Sequence, residues 1–521
     1  MGRIARYLNQ LINGDVFDTP EILEAYSTDR SVLKIKPKLV ALPESTEDIR
    51  KLMRFASQLA SKGINIPVTV RGSGLDEMGA DLGSGMIIST EKLNRLLESD
   101  KRERLVRVQA GITLRELNIA LSINGLTIPI DGHDNETIGG IISNCPADDW
   151  SGKYGGIYHF VERLEAVLPN GDLLQTNRIS KRAVMRKMKD KTNESRIYGR
   201  VLQLIKKNEP LLKALKSNKQ DLSGYKNIVR VADKTSMDLL PLFFGSEGTL
   251  GVITEVILRA VPIQKEVKRV ALTFTDFMDS EKLLDFAKTL KPLELNLYDL
   301  RVIKTAEKNG KKPNEITKKM DAGFVVIAKF NDKGNAKIRR IERYGKKIAK
   351  NTKIIVESSK TTSALNDLET SLTSFVNSTK IDGATPLMVG FSMPGNSIPG
   401  LVNDLRVLES SLKLDLALYG SYSASNYNLS PKLNVKSEDF RKQATNFLRT
   451  SAYVIKRQGG AVVKGTPEGR VKAIATNNTM NDAEKALYIT IKNIFDRQGI
   501  LNPNVKVGVD DRFTIRHFRS L

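Results

Sequence analysis

The chain's regular pattern starts at Val40 to Leu42, an apolar run stopped by Pro43, after which Ser45, Thr46 and Asp48 supply a helix start. Ile49, Leu52, Met53 and Phe55 then give that helix an apolar face. Ile66 to Val70 reads as a strand running straight into Arg71-Gly72-Ser73-Gly74, and MIIS, from Met86, reads as another. Between Val106 and Leu121 the pattern passes from a strand through a turn to a helix, and residues 181–219 are largely helical in spacing. From about Pro262 the texture changes. VALTFT, GFVVIAKF, TKIIVES, PLMVGFSM and LDLALYG predict strands, and stretches such as NAKIRRIERYGKKIAKN predict helices between them. The fold class is α+β.

Three glycine-dense segments interrupt the first half: Arg71 to Gly79, Thr137 to Gly155 and Gly245 to Val256. Glycine lets backbone approach a dianion closely and present its N–H groups, so three such segments point to one large phosphate-bearing ligand. A dinucleotide fingerprint is a poor description of the first segment. GxGxxG must open a helix, whereas Leu75 to Gly85 carries three further glycines and leads into a strand. No Walker A motif is present, which disfavours a P-loop NTPase.

In their order and wording the segments RGSGLDEMG, TIGGIISNCPADDWSGKYG and GSEGTLGVITEV resemble the FAD-binding domain of the vanillyl-alcohol oxidase (PCMH-type) superfamily. The likeness is strongest to its FAD-linked oxidases, among them D-lactate and D-2-hydroxyglutarate dehydrogenases. It extends from AYSTDRSVLKIKPKLVALPESTEDIRKLMRFA at residue 25 to IKNIFDRQGILNPNVKVG at Ile491 to Gly508. It implies an N-terminal segment (1–24), a two-subdomain FAD-binding domain (25–262), an α+β cap with an antiparallel sheet (263–490) that forms the substrate chamber, and a tail (491–521) returning to the FAD domain. It also implies that Arg71, Gly72, Ser73, Gly74 and Leu75 wrap the FAD diphosphate. Pro129, Thr137, Gly139, Gly140, Asn144, Gly152 and Tyr154 would line the diphosphate, ribityl chain and ring. Gly248, Gly251 and Ile253 would lie along the adenosine, with Asn502 near the pocket. Thr137 and Asn144 are also common turn residues. Leu75 stands where some relatives attach flavin through histidine or cysteine, so the FAD is expected to be noncovalent.

One local departure is Cys145-Pro146-Ala147-Asp148-Asp149-Trp150, which holds the only Cys and the only Trp of the chain. Relatives carry small residues there. Its bulk either reshapes the flavin pocket or forms a solvent-facing loop tip. The larger departure concerns chemistry. Relatives that oxidise 2-hydroxy acids carry GHxGDGNxH and GEHGIGRxK, whose histidines bind a divalent metal and take the substrate proton. The matching stretches here run from Gly420 to Asn428 and from Lys464 to Lys472, and both lack histidine. His133, His159 and His517 are the only histidines; none falls in the cap or has metal-ligand spacing, and His517 is read as part of an exposed tail. Substitute proton acceptors are Tyr422, Tyr427 or Glu468, and substitute carboxylate binders are Arg470 or Lys472; the pocket candidates are therefore Tyr427, Asn428, Glu468 and Arg470, with no metal.

The resemblance implies an FAD-dependent oxidoreductase. A small hydroxylated substrate, such as a 2-hydroxy acid, would give hydride to flavin N5, and a quinone, a protein or oxygen would take the electrons. A sugar or aldonolactone oxidase, which does not need the metal histidines, is the alternative within the class. A catalytically degenerate flavin protein that binds partners through a basic surface is the alternative outside it.

Composition bounds these readings. The 521 residues, 40% of them hydrophobic, can bury more than one core. One cysteine excludes an internal disulfide and multi-cysteine metal sites, which fits a reducing cytoplasm. No apolar run reaches the ~18 residues of a membrane span and no cleavable signal is visible at the start. The formal charge is +23, and residues 181–219 hold 13 basic and 3 acidic side chains. Such a cluster can touch anionic surfaces peripherally. Lysine is spread through the whole chain, however, and aromatic residues make up only 6%, so a solvated basic surface is favoured over nucleic-acid binding.

Overall fold

The computed structural model describes all residues except Met1, Ala147, 218–223, Lys265, Asp279, 309–313, Lys350, 378–386, 463–465 and 520–521. It is an α+β protein whose contacts group into two units. The first joins Met1–Pro146, Ile157–Pro262 and Thr466–Arg519, and the second joins Ala147–Gly156 to Ile263–Gly465. The sequence reading carries the cap to residue 490 and keeps 147–156 in the FAD domain. The grouping differs at both places because Asp149 and Trp150 bond to the second unit's strand Glu294–Asp299, while Glu468 and Gly469 bond to Glu247 of the first.

In the first unit a four-stranded sheet runs Asp15–Phe17, Leu39–Leu42, Met86–Ser89, Val68–Arg71, its last three strands parallel. The helix Thr46–Ser61 is capped by Ser45, whose Oγ accepts from the Asp48 N–H at 3.1 Å, and it buries Ile49, Leu52, Met53 and Ala56. A five-stranded antiparallel sheet runs Leu96–Asp100, Leu105–Gln109, Val252–Arg259, Val161–Val167, Leu173–Gln175. Residues 181–217 form the helices Lys181–Lys187, Asn193–Lys207 and Glu209–Ser217. The middle helix buries Ile197, Tyr198, Val201 and Leu204 and turns Arg196, Arg200 and Lys207 to solvent. Asp221 to Ser223 lie outside the described residues; Gly224–Arg230 forms a 3-10 turn. The segment around His517 is packed rather than exposed. Phe518 is buried, and the carbonyl of half-buried His517 accepts from the Lys34 N–H at 2.9 Å.

The second unit is built on a seven-stranded antiparallel sheet, in the order Lys353–Val356, Lys268–Phe274, Phe324–Phe330, Glu294–Asp299, Leu416–Ser421, Asn426–Pro431, Val389–Ser392. On one side Ala271, Val325, Ile327 and Tyr419 pack against Leu300, Ile303, Leu365 and Leu368 of the helices Leu300–Lys308 and Thr362–Asn377. The strands Glu294–Asp299 and Asn426–Pro431 escape the apolar-run reading because polar residues occupy alternate positions.

Candidate functional site

In the first unit, strand Val68–Arg71 delivers the chain into the first glycine segment. Arg71 is buried, donates from Nη2 to the Thr28 carbonyl at 3.0 Å, and has its Nη1 without a partner among the described residues. Gly74 has φ +72°, and a Cβ there would fall less than 3.0 Å from the Arg71 guanidinium. Among the described residues, the backbone N–H groups of Gly72, Ser73, Gly74 and Leu75 donate to nothing. A cation beside four successive free donors is a receptive site for a phosphate-type anion.

The second segment is not an open loop around its glycines. Thr137 caps the helix Ile138–Asn144, with its Oγ1 accepting from the Gly140 N–H at 3.2 Å. The N–H groups of Ile138 and Gly139 go to the carbonyls of Ile112 and Ala110, at 2.9 and 2.7 Å. These three donors are therefore spent inside the protein, and Gly139 serves close packing, since its Cβ would meet Ala110 at 2.9 Å. Asn144 donates to Asp76 at 3.0 Å, tying this helix to the first segment, and Pro129 is buried in the preceding stretch. The third segment closes on the same helix: the N–H groups of Gly245 and Glu247 donate to the carbonyls of Ile142 and Ser143. Gly248 has φ +68°, Gly251 packs on Val167, and Ile253 is buried in strand Val252–Arg259.

Glu468, Arg470 and Asn502 lie in this unit, each bonded to neighbouring protein groups. Glu468 Oε1 accepts from Lys506 at 2.6 Å and Oε2 from Thr476 at 3.1 Å. Arg470 donates to the carbonyls of Gly79 and Pro503 and to Asn502 Oδ1, and burial brings it down to about 10 against the pull of Asp29 and Asp81. Lys472 donates to the Thr466 carbonyl at 2.6 Å, and burial brings it down to about 7 against the attraction of Glu468. Of the matched stretch, Lys464 and Gly465 lie outside the described residues. The sequence reading missed the carboxylates beside the first segment. Asp76 accepts from the N–H groups of Met78 and Ala80, and burial and the Asp81 charge push it up to about 7. Asp29 is raised by burial, then by Asp81 and Asp76. The available signal was DEMGAD, acidic residues inside a glycine segment.

In the second unit the strand register separates two candidates. Asn296 faces Ser421 and Ser421 faces Asn426; Tyr298 faces Tyr419 and Tyr419 faces Asn428. These residues share one side of the sheet, and Tyr427, one position along, points to the other. Tyr427 is fully buried with its ring centroid 5.8 Å from Phe391, and its hydroxyl has no partner among the described residues. Burial, with Asp285 adding to it, raises its pKa, so the proton-acceptor role expected of it does not suit the position. Tyr422 likewise donates to Asp285 at 2.8 Å.

The Cys145–Trp150 departure is not a solvent-facing tip: half-buried Trp150 donates to Glu294 at 3.1 Å, and Asn296 donates to Asp149 at 2.5 Å. Gly152 sits against Ser423, and the Tyr154 hydroxyl accepts from Asn331 at 3.1 Å. The side carrying Asn428 thus also holds Asn296, Ser421, Glu294 and Lys329, the last two 2.9 Å apart. Among the described residues no group of three or more His, Cys, Asp or Glu side chains could hold a metal. His133 is exposed, and His159, lowered by burial and then by Arg230, ends a 3-10 turn.

The first unit carries an anion-receptive glycine segment, and the second is built on a seven-stranded antiparallel sheet. Residues 37–177 match the FAD binding domain family, and residues 263–505 match the C-terminal domain of FAD linked oxidases. The chain belongs to the FAD-linked oxidases and is an FAD-dependent oxidoreductase of that family. It is 32% identical over 259 residues to a D-2-hydroxyglutarate dehydrogenase of Pantoea ananatis, an alignment covering 49% of this chain and 25% of that protein's length. It is 23% identical to a D-lactate dehydrogenase of Anaerostipes hadrus, over 93% of this chain and 92% of the relative. In fold it resembles a 4-ethylphenol oxidase from Gulosibacter chungangensis, with a TM-score of 0.69, 14% identity, and 98% and 97% of the two chains covered. No helix among the described residues is long and apolar enough to cross a membrane.

Proposed function

We propose that this chain oxidises a small hydroxylated substrate, a 2-hydroxy acid being the first candidate, with noncovalently held FAD and no metal. The observation that carries the proposal is the run of four free N–H groups from Gly72 to Leu75 beside the unpartnered Nη1 of Arg71. These groups fit an FAD diphosphate, with the capped helix at Thr137 and the turn at Gly248 supporting the segment from behind. Bound FAD supplies a two-electron acceptor at N5.

The substrate class rests on the Anaerostipes hadrus relative, whose alignment spans nearly both chains. Half-buried Asn428 is a neutral hydrogen-bonding group that suits a hydroxyl or carboxylate, while Asn296 and Ser421 on the same side of the sheet are buried and bonded to Asp149 and Ser423. Glu468 and Arg470 enter as positioning residues rather than as groups that touch substrate. Because serine and asparagine replace the expected metal ligands, a sugar or aldonolactone substrate is the second reading. The test is turnover of D-lactate, D-2-hydroxyglutarate, glycolate and an aldonolactone with an artificial electron acceptor, with and without chelator. Chelator-resistant oxidation of a 2-hydroxy acid is expected. Oxidation of the lactone alone moves the assignment to the second reading, and loss of all activity on chelation refutes the metal-free part.

A further inference from the structure

The C-terminal segment meets the glycine segments through one side chain whose hydrogen-bonding capacity is fully used. Asn502 Nδ2 donates to the Ala80 carbonyl and to the Glu247 carbonyl, both at 2.7 Å. Its Oδ1 accepts from Arg470 Nη2 at 2.9 Å and from Thr69 Oγ1 at 3.2 Å. An amide offers two donors and two acceptor sites, so nothing remains for a ligand. The four partners belong to the strand entering the first glycine segment, to the residue just past that segment, to the third segment, and to the C-terminal stretch.

Glu247, whose carbonyl Asn502 holds, anchors the same junction through its carboxylate. Oε1 accepts from the Glu468 N–H at 2.9 Å and pairs with Lys506 at 2.7 Å; Oε2 accepts from the Gly469 N–H at 2.7 Å. Lys506 is pushed up to about 12: burial acts against its charge, and Glu247 and Glu468 outweigh it. Glu247, Asn502 and Lys506 all adopt left-handed backbone, with φ of +53°, +42° and +63°. Side chains larger than glycine hold that conformation only where surrounding contacts enforce it.

We infer that Asn502, with Glu247 and Arg470, is a positioning residue for the cofactor. It fixes the spacing of the first and third glycine segments without touching FAD, so the C-terminal stretch Thr466–Arg519 sets cofactor affinity. This inference rests on the reading that Gly72 to Leu75 hold the FAD diphosphate. Asn502→Asp keeps the volume and the acceptor oxygen and turns both donors into an oxygen facing two carbonyls. Thr69→Val is the milder variant, removing one of the four bonds.

The experiment strips FAD from the whole 521-residue chain and titrates it back, well below the unfolding temperature of each variant, with the bound flavin's visible circular dichroism recorded alongside. Asn502→Asp should weaken FAD by at least about 10-fold, Thr69→Val by about 2- to 10-fold, and both should change the flavin's dichroism. Gln498→Ala, exposed in the same stretch, should change neither. A merely structural role would lower the unfolding temperature and leave the affinity of the folded protein unchanged, and that result overturns the inference. Wild type that takes up no FAD overturns the reading beneath it as well. Full affinity in both variants overturns the positioning role alone.

Discussion

Gly72→Ala tests the contact between the first two glycine segments. A Cβ on Gly72 would lie less than 3.0 Å from Thr137 Oγ1 but 3.4 Å from Thr137 Cβ, an ordinary contact distance. The new methyl group collides with the hydroxyl and crowds Thr137 Cγ2 at 3.3 Å, and that hydroxyl caps the helix Ile138–Asn144. Moving it aside forfeits a cap worth about 1 kcal/mol and adds a packing strain of roughly 1–3 kcal/mol. Thr137→Ala forfeits the cap only, about 1 kcal/mol. In the double variant the obstacle is gone, so its cost should stay near that of Thr137→Ala, leaving a coupling of about 1–3 kcal/mol between the sites. Thermal unfolding of the four apoproteins reads this directly, at about 2 °C per kcal/mol for a unit of this size. Additive costs, or a Gly72→Ala variant as stable as wild type, would refute the contact.

Stability of the apoprotein should pass through a minimum near neutral pH. The Asp76 carboxyl, raised from 3.8 to about 7, costs nothing below its unfolded value and costs progressively more as pH rises to 7. Lys472, lowered from 10.5 to about 7, costs fully below 7, and that cost fades as pH rises towards 10.5. Asp76→Asn should flatten the acid limb of the profile, and an unchanged limb would discount the buried carboxyl. Tyr427→Phe should keep kcat/KM within about 2-fold, because the hydroxyl has no partner to lose, whereas Asn428→Ala should lower it at least about 10-fold. Glu247→Ala leaves Lys506 with a single carboxylate in a buried site and should destabilise the apoprotein by about 3–5 kcal/mol, measured by urea unfolding. Acid precipitation should leave the yellow colour in the supernatant; a yellow pellet would show a covalent flavin.

The order of elements was legible because short-range rules decide it. Pro43 ends one strand, Ser45 caps the next helix, and the helical spacing of residues 181–219 anticipates the helices found between Lys181 and Ser217. The glycine segments were legible too, through the conformations that only glycine adopts cheaply, as at Gly74 and Gly248. What the sequence hid was long-range. Tyr427 and Asn428 are neighbours in the chain and lie on opposite sides of the sheet, which becomes visible only once the register with Phe391 and Tyr419 is known. Glu468 looks like an available base until Lys506 and Thr476 are seen to fill its oxygens. Trp150 looks like a loop tip until Glu294, on a strand the apolar runs did not announce, supplies its partner.

A hydroxylated substrate should reduce the flavin held by this chain. The most direct test is the visible spectrum of the purified, FAD-loaded protein, taken without oxygen and in the presence of chelator, before and after addition of D-lactate, D-2-hydroxyglutarate and an aldonolactone. The oxidised flavin band should bleach within one turnover on adding at least one of them and return when an electron acceptor is supplied. A band that dithionite bleaches and none of these substrates touches would contradict this expectation.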